Sequence, residues 1–275
     1  MKPIFTSRLF TVLEGKLLDL LRSLTPDDWD TQTVARAWTV KDVAAHLHDT
    51  QLRRLSIGRD GFFADPPPRI STNEELVEYI NRLNREGVDM YRRLSPTVLI
   101  SMMEIACRQM SDYLQSLDPM EEAKTGVSWA GEARSANWFD TAREFTERWH
   151  HQQQIRLATG KPGIMTRDLY FPVLDCFMRA LPFAYRNIAA PAGSYVTFHI
   201  AGDCGGSWFL CRNLDGWQLA ESPEGTEASA TTIPQEIAWR IFTKGIDRKT
   251  ADAQVEVRGD RLLGLHVLQM VTIVG

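Results

Sequence analysis

Apolar residues recur at helical spacing up to about position 190 and alternate at strand-like spacing beyond position 193, and this change of period predicts two units. Phe10, Leu13, Leu17, Leu18 and Leu21 mark one face of a first amphipathic helix. Thr25 and Pro26 then supply a cap and a helix-start proline for a short turn ending near Trp29. A second helix opens at Thr39, where Thr-x-x-Asp places a capping hydroxyl and the first-turn carboxylate of Asp42. It carries Val40, Val43, Ala44 and Leu47 on its inner face, with His46 on the flank. Residues 61–71, which include Pro66, Pro67 and Pro68, read as an exposed loop. Helical spacing returns over 73–94 and 96–117, the third and fourth long helices, with Ser95 as the cap between them. Residues 118–136 are polar and contain glycine, so they form a second loop able to lie over a site at one end of a bundle. Asn137 is expected to cap the helix that carries Glu144, Glu147 and His151, and Gly160 followed by Pro162 ends it.

Residues 166–185 continue the helical pattern, but Pro172 and Pro182 predict a kinked or short helix, and 189–193 read as a linker. Strands are predicted over 195–200, 207–210 and 217–219, joined by hairpin turns at 203–206 and at Asp215 and Gly216. A helix with Pro234 at its start follows to Thr243, and apolar segments over 253–257 and 262–274 close the chain. The expected fold is thus α followed by α+β: a helical bundle over 1–162, a connecting helix and linker over 163–192, and a small α+β domain over 193–275. Gly202, Gly205 and Gly206 join two strands rather than opening a helix, which argues against a phosphate cradle.

With 44% hydrophobic and 24% charged residues, the composition is that of a globular protein with a sizeable core. A net charge of -4 with dispersed Lys and Arg argues against nucleic acid as a partner. No apolar run approaches the roughly 20 residues needed to span a bilayer, and the first residues lack a secretory pattern, so the expected compartment is the cytoplasm. A monomer or a homodimer is expected. Cys107, Cys176, Cys204 and Cys211 show no C-x-x-C spacing and are read as reduced and structural.

The chemistry concentrates in two distant segments, 42–48 and 147–151, which hold four of the six histidines. Glu147 and His151 are four apart and share a helix face, close enough to bind one ion. His46 is the natural third ligand, since two His and one Glu can hold Zn2+ with a position left open. His150 and Glu144 are the alternative ligands, and Glu144 otherwise reads as a solvated partner of Arg148. His48 points about 160° from His46 on a straight helix and reads as a surface group or a neighbour of the ligands. Asp42 and Asp49 read as helix charges, His199 and His266 as structural residues of the sheet domain. The tryptophans read as packing residues, with Trp38 and Trp149 placed to exclude water around a metal. Arg240, with Lys244 nearby, is the candidate for a substrate carboxylate because its guanidinium is a planar donor fork.

The run from Trp38 to Leu47, preceded by Trp29, resembles the N-terminal signature of the mycothiol-dependent maleylpyruvate isomerase group of the DinB-like metalloprotein superfamily. The segment from Glu147 to Ile155, with Ala158, Thr159 and Gly160, is similar to that group's Glu-x-x-x-His-x-x-Asp-Ile-x-x-Ala-x-Gly pattern. Gly205, Gly206, Trp208, Ala238, Trp239, Arg240, Gly259, Asp260, Leu263 and Gly264 resemble the sterol-carrier-like domain appended to it. The resemblance implies a DinB-like four-helix bundle holding one divalent metal, usually zinc, with nickel or iron as alternatives, through His46, Glu147 and His151. It also implies a low-molecular-weight thiol of the mycothiol or bacillithiol type as cosubstrate, and a small electrophile as substrate. The chain departs from the pattern at Gln154, where the group commonly has Asp.

These observations predict a metal-dependent enzyme that uses a thiol for cis/trans isomerisation or S-transfer. A different class of reading is a non-catalytic binder of a small molecule or lipid with a structural or vestigial metal site. A third is a metal hydrolase that needs no thiol.

Overall fold

The structure is a computed structural model and describes residues 2–63 and 72–272, so Pro66, Pro67, Pro68 and most of the loop around them lie outside the described residues. The N-terminal part contains α1 (Phe10–Arg22), α2 (Pro26–Trp29), α3 (Val40–Arg54), α4 (Asn73–Tyr91), α5 (Pro96–Ser116) and α6 (Asn137–Thr159). Helices α1, α5, α3 and α6 pack in a ring, each against the next, and form the four-helix bundle. Helix α4 stands outside the ring against α3, because it is polar along most of its length and buries Val88 and Tyr91 only near its end.

The caps follow local chemistry. Thr39 and Asp42 form a reciprocal capping box that starts α3 where the spacing predicts it, and Thr25 with Asp28 does the same for α2. Ser95 accepts from the Val98 amide at the start of α5. Asn137 behaves differently from expectation: Ala136 is the cap residue, and the Asn137 amide instead donates to the Asp118 carbonyl at 2.8 Å. That bond ties the 118–136 loop to the start of α6. Gly160, at φ 65°, ends α6 in the left-handed conformation that glycine adopts without strain.

The segment predicted as one kinked helix divides into α7 (Arg167–Met178) and α8 (Leu181–Tyr185), with Pro182 in the first turn of the second. The sheet contains β1 (Ser194–Ala201), β2 (Gly206–Asn213), β3 (Gly216–Ala220), β4 (Thr226–Pro234) and β5 (Glu256–Gly259), in the order β3-β2-β1-β4-β5. β1 runs parallel to β4, and the other neighbours are antiparallel. Helices α9 (Gln235–Phe242), α10 (Arg248–Asp252) and α11 (Arg261–Leu265) complete it, so part of the closing apolar segment is helix.

One apolar core joins the sheet, α7 and α8 to the bundle through α6. The Trp149 ring of α6 stacks on Tyr170 of α7 at 4.3 Å and meets Trp239 of α9 edge-on at 6.1 Å. The Tyr170 hydroxyl donates to the Gln235 carbonyl at 2.7 Å, which satisfies a phenol that would otherwise be a buried polar loss. Trp149 therefore works in this core and not beside the histidines. All four cysteines are free thiols, and burial raises the pKa values of Cys107 and Cys176 far above the ordinary range.

Candidate metal centre

Helices α3 and α6 are pinned together by a buried guanidinium. Arg148 of α6 donates to the Leu47 carbonyl of α3 at 2.6 Å and to both carboxylate oxygens of Glu14 on α1 at 2.7 and 3.1 Å. Gln51 and the Cys107 thiol donate to the same carboxylate. The partner of Arg148 is thus Glu14 and not Glu144. Glu144 is itself buried and pairs with Arg143 at 3.3 Å, so it is no solvated glutamate.

This clamp fixes which residues of the two helices meet. The His46 ring of α3 lies 4.6 Å from the His151 ring of α6, edge to face, and Trp38 covers the pair at 4.6 and 6.1 Å. Glu147 Oε2 lies 3.7 Å from His151 Nε2 and 3.8 Å from His150 Nδ1. One ligand atom from each of Glu147, His150 and His151 falls within 4.8 Å of the others, a spread that one cation can span. Of the sequence-predicted trio, His151 is met by Glu147 on its own helix and by the His46 ring from α3. The tightest group has the alternative ligand, His150, in place of His46.

Burial sets the protonation of the cluster. It pushes the His46 imidazole well below the ordinary histidine range, helped by the neighbouring His151 and Arg53, and brings His150 down to about 4 and His151 to about 3. The same desolvation raises Glu147, with His151 and Arg143 opposing it. The imidazoles are neutral near pH 7, the form in which nitrogen can bind a metal. The Nδ1 atom of His46 is buried with no partner among the described residues. Neutral nitrogens gathered on a carboxylate suit a divalent cation, so the residues present fit one.

Gln154, the departure from the family pattern, is placed on this cluster. Its Oε1 lies 2.9 Å from His151 Nδ1, one helical turn away. Two arginines border the cluster: Arg53, which acts on His46 and pairs with Asp49 at 2.7 Å, and Arg143, which acts on Glu147 and pairs with Asp140 at 2.9 Å. Sequence reading passed over both, although Arg143 lies four residues before Glu147, on its face. Asp140 also pairs with Arg54, and the 118–136 loop packs at this end of α6 through Trp129 against Phe139. His48 is fully buried beside Tyr91 and is not a surface group. Asp42 is likewise buried and paired with Arg92 at 2.8 Å. Arg240 sits on α9 with its Nε donating to the Gly245 carbonyl, and no hydrogen bond or ion pair among the described residues joins it to the histidines.

A family model described as the mycothiol maleylpyruvate isomerase N-terminal domain matches residues 11–156, the span that carries His46, Glu147, His150 and His151. The chain belongs to the mycothiol maleylpyruvate isomerase family. Among solved structures, a crystal structure of a point mutant of the mycothiol-dependent maleylpyruvate isomerase matches with a TM-score of 0.51 at 10% identity, covering 86% of each chain. A crystal structure of the mycothiol-dependent maleylpyruvate isomerase gives a TM-score of 0.47 at 12% identity over the same shares. The likeness to the first shows that the fold of this family extends through the sheet as well as the bundle. No curated protein matches the chain. No helix among the described residues is long and apolar enough to cross a membrane.

Proposed function

We propose that this chain is a divalent-metal-dependent enzyme that uses a low-molecular-weight thiol of the mycothiol type on a small electrophile, by cis/trans isomerisation or S-transfer. The observation that carries the reading is the convergence of Glu147, His150 and His151, with His46 in contact, in a buried setting that keeps the imidazoles neutral. His46, Glu147 and His151 would hold the ion, with His150 as the alternative. When bound, zinc supplies a Lewis acid that makes a thiol a thiolate near neutral pH.

The protein's own contribution is placement. Trp38 shields the imidazoles from water on one side, and the Arg148 clamp holds α3 against α6 so that ligands from two helices meet. Arg53, paired with Asp49, and Arg143, paired with Asp140 and Glu144, border the cluster and offset the carboxylates around it. For isomerisation the thiolate adds to one carbon of an electron-poor alkene, the new single bond rotates, and the same thiolate leaves, so no atom is gained or lost. For transfer the sulfur stays attached and a leaving group departs.

The test is elemental analysis of protein purified without a His tag, followed by turnover of maleylpyruvate and of a chloro-nitroaromatic acceptor with and without mycothiol. One equivalent of metal, lost together with turnover in His46→Ala and in His151→Ala, is the expected result. Turnover without any thiol would replace this reading by a hydrolase. Ligand binding that survives both substitutions, with no turnover by the unaltered protein, would replace it by a carrier.

A further inference from the structure

We infer that Gln154 is a positioning residue that fixes the tautomer of His151 and, being a neutral acceptor, leaves the ion at this site less tightly held and more acidic than a carboxylate there would. The inference rests on the metal reading above and adds to it how the site is tuned.

An amide oxygen can only accept, so the 2.9 Å contact between Gln154 Oε1 and His151 Nδ1 requires the proton on Nδ1. A neutral ring then carries its lone pair on Nε2. That atom faces Glu147 Oε2 at 3.7 Å, beyond hydrogen-bonding reach, so the carboxylate does not hold a competing proton on it. His151 and Gln154 are both buried, and water is a poor substitute partner for Nδ1. His150 is held by the same logic, its Nδ1 lying 3.1 Å from the Thr146 carbonyl. His46 has no such partner, because its Nδ1 is buried without one among the described residues. Of the two imidazoles in ring contact across the helices, His151 is the one whose orientation is fixed in advance.

The identity of the acceptor matters as well as its position. An acceptor on the outer nitrogen orients a ligating imidazole and raises its basicity, and a carboxylate does so more strongly than an amide because its charge stabilises the polarised ring. With Gln154 the ring donates less electron density through Nε2. The cation keeps more of its charge, which favours ionisation of what it binds and weakens its own retention.

The test uses the full chain in three forms: unaltered, Gln154→Leu, which removes the acceptor, and Gln154→Glu, which keeps the length and adds charge. Long-range proton-nitrogen spectra of the metal-free proteins report the tautomer of His151 directly. Competition with a chromophoric chelator reports zinc affinity. The expected results are a single Nδ1-protonated His151 in the unaltered protein and a mixture in Gln154→Leu. Zinc affinity should fall by about 10 to 100-fold in Gln154→Leu and rise in Gln154→Glu. A merely structural glutamine would move thermal stability in both variants and leave tautomer and affinity order unchanged. Zinc binding by the unaltered protein with equal affinity in Gln154→Leu overturns the inference alone. Failure of the unaltered protein to take zinc, with the Nδ1 proton still in place, overturns the metal reading and the tuning with it while the orientation of His151 stands.

Discussion

Acidifying the metal-free protein from pH 7 to pH 5 should remove much of its stability. Burial holds three imidazoles far below their ordinary range, His48 at about 4, His150 at about 4 and His151 at about 3. In the unfolded chain the same groups titrate near the ordinary value of about 6.5. A lowered histidine pKa means that the unfolded chain binds protons the fold refuses. The stability these groups permit is therefore complete above the unfolded value and is lost as pH falls toward the folded values. Between pH 7 and pH 5 that linkage costs about 2 kcal/mol for each imidazole and roughly 5–6 kcal/mol for the three together. His46 adds to the loss in the same direction. Against a total stability of about 5–15 kcal/mol, this brings the metal-free fold close to its acid limit well before the paired carboxylates Asp42 and Asp140, whose pKa values are lowered, begin to protonate. The assay is urea unfolding followed by circular dichroism at pH 7, 6 and 5, with chelator and with zinc. Zinc should raise the midpoint by a similar amount at each pH and leave the slope in place, because the folded imidazoles are already unprotonated over this range and it is the unfolded chain that takes up the protons. A urea midpoint that stays constant from pH 7 to pH 5 in the chelated protein would refute the reasoning.

Two further outcomes follow from the packing. Glu14→Ala leaves the Arg148 guanidinium buried without its counter-charge and should cost about 3–5 kcal/mol, whereas replacing both residues by apolar ones of similar volume should cost far less; a double-mutant cycle in urea measures the difference. Thr39→Ala removes half of the capping box that starts the His46 helix and should lower stability by about 0.5–2 kcal/mol in the same measurement, leaving the chelator-measured zinc affinity within a few-fold of the unaltered value.

Much of the bundle was legible because its signals are local. Thr39 with Asp42, Pro26, Ser95 and Gly160 mark helix ends through bonds made within a few residues, and the structure uses each of them. The pairing of Arg148 was not legible, since a four-residue spacing pointed to Glu144 while the actual partner, Glu14, lies 134 positions away. β4 was missed for a different reason. Its buried positions are Ser229, Ala230, Thr231 and Ile233, small or hydroxylated for the most part, so the alternation that exposed β1 through Val196, Phe198 and Ile200 is faint there. Ser229 and Thr231 are satisfied by the Asp260 and Gly264 carbonyls, contacts from over 30 positions away that sequence spacing does not announce. That Glu147 and His151 share a face was visible from spacing on one helix, whereas Gln154 drew notice only as a departure from the resembled pattern, and its contact with His151 is a finding of the structure. What spacing did not reveal was that His48 and Asp42 would be enclosed, because enclosure depends on where α4 comes to rest: Tyr91 closes over His48, and Arg92 reaches Asp42.

The stacking of Trp149 on Tyr170 bears on how the polypeptide can be dissected. The indole Nε1 donates to the Ile164 carbonyl at 3.1 Å, and its face is covered by α7. A fragment cut at residue 162 would retain every histidine of the cluster yet strip the reverse side of the helix bearing them, presenting a large greasy ring and an idle donor to solvent. An excised helical unit meant for spectroscopy or crystallisation should therefore run past the helix stop at Gly160 and Pro162 and through Met178.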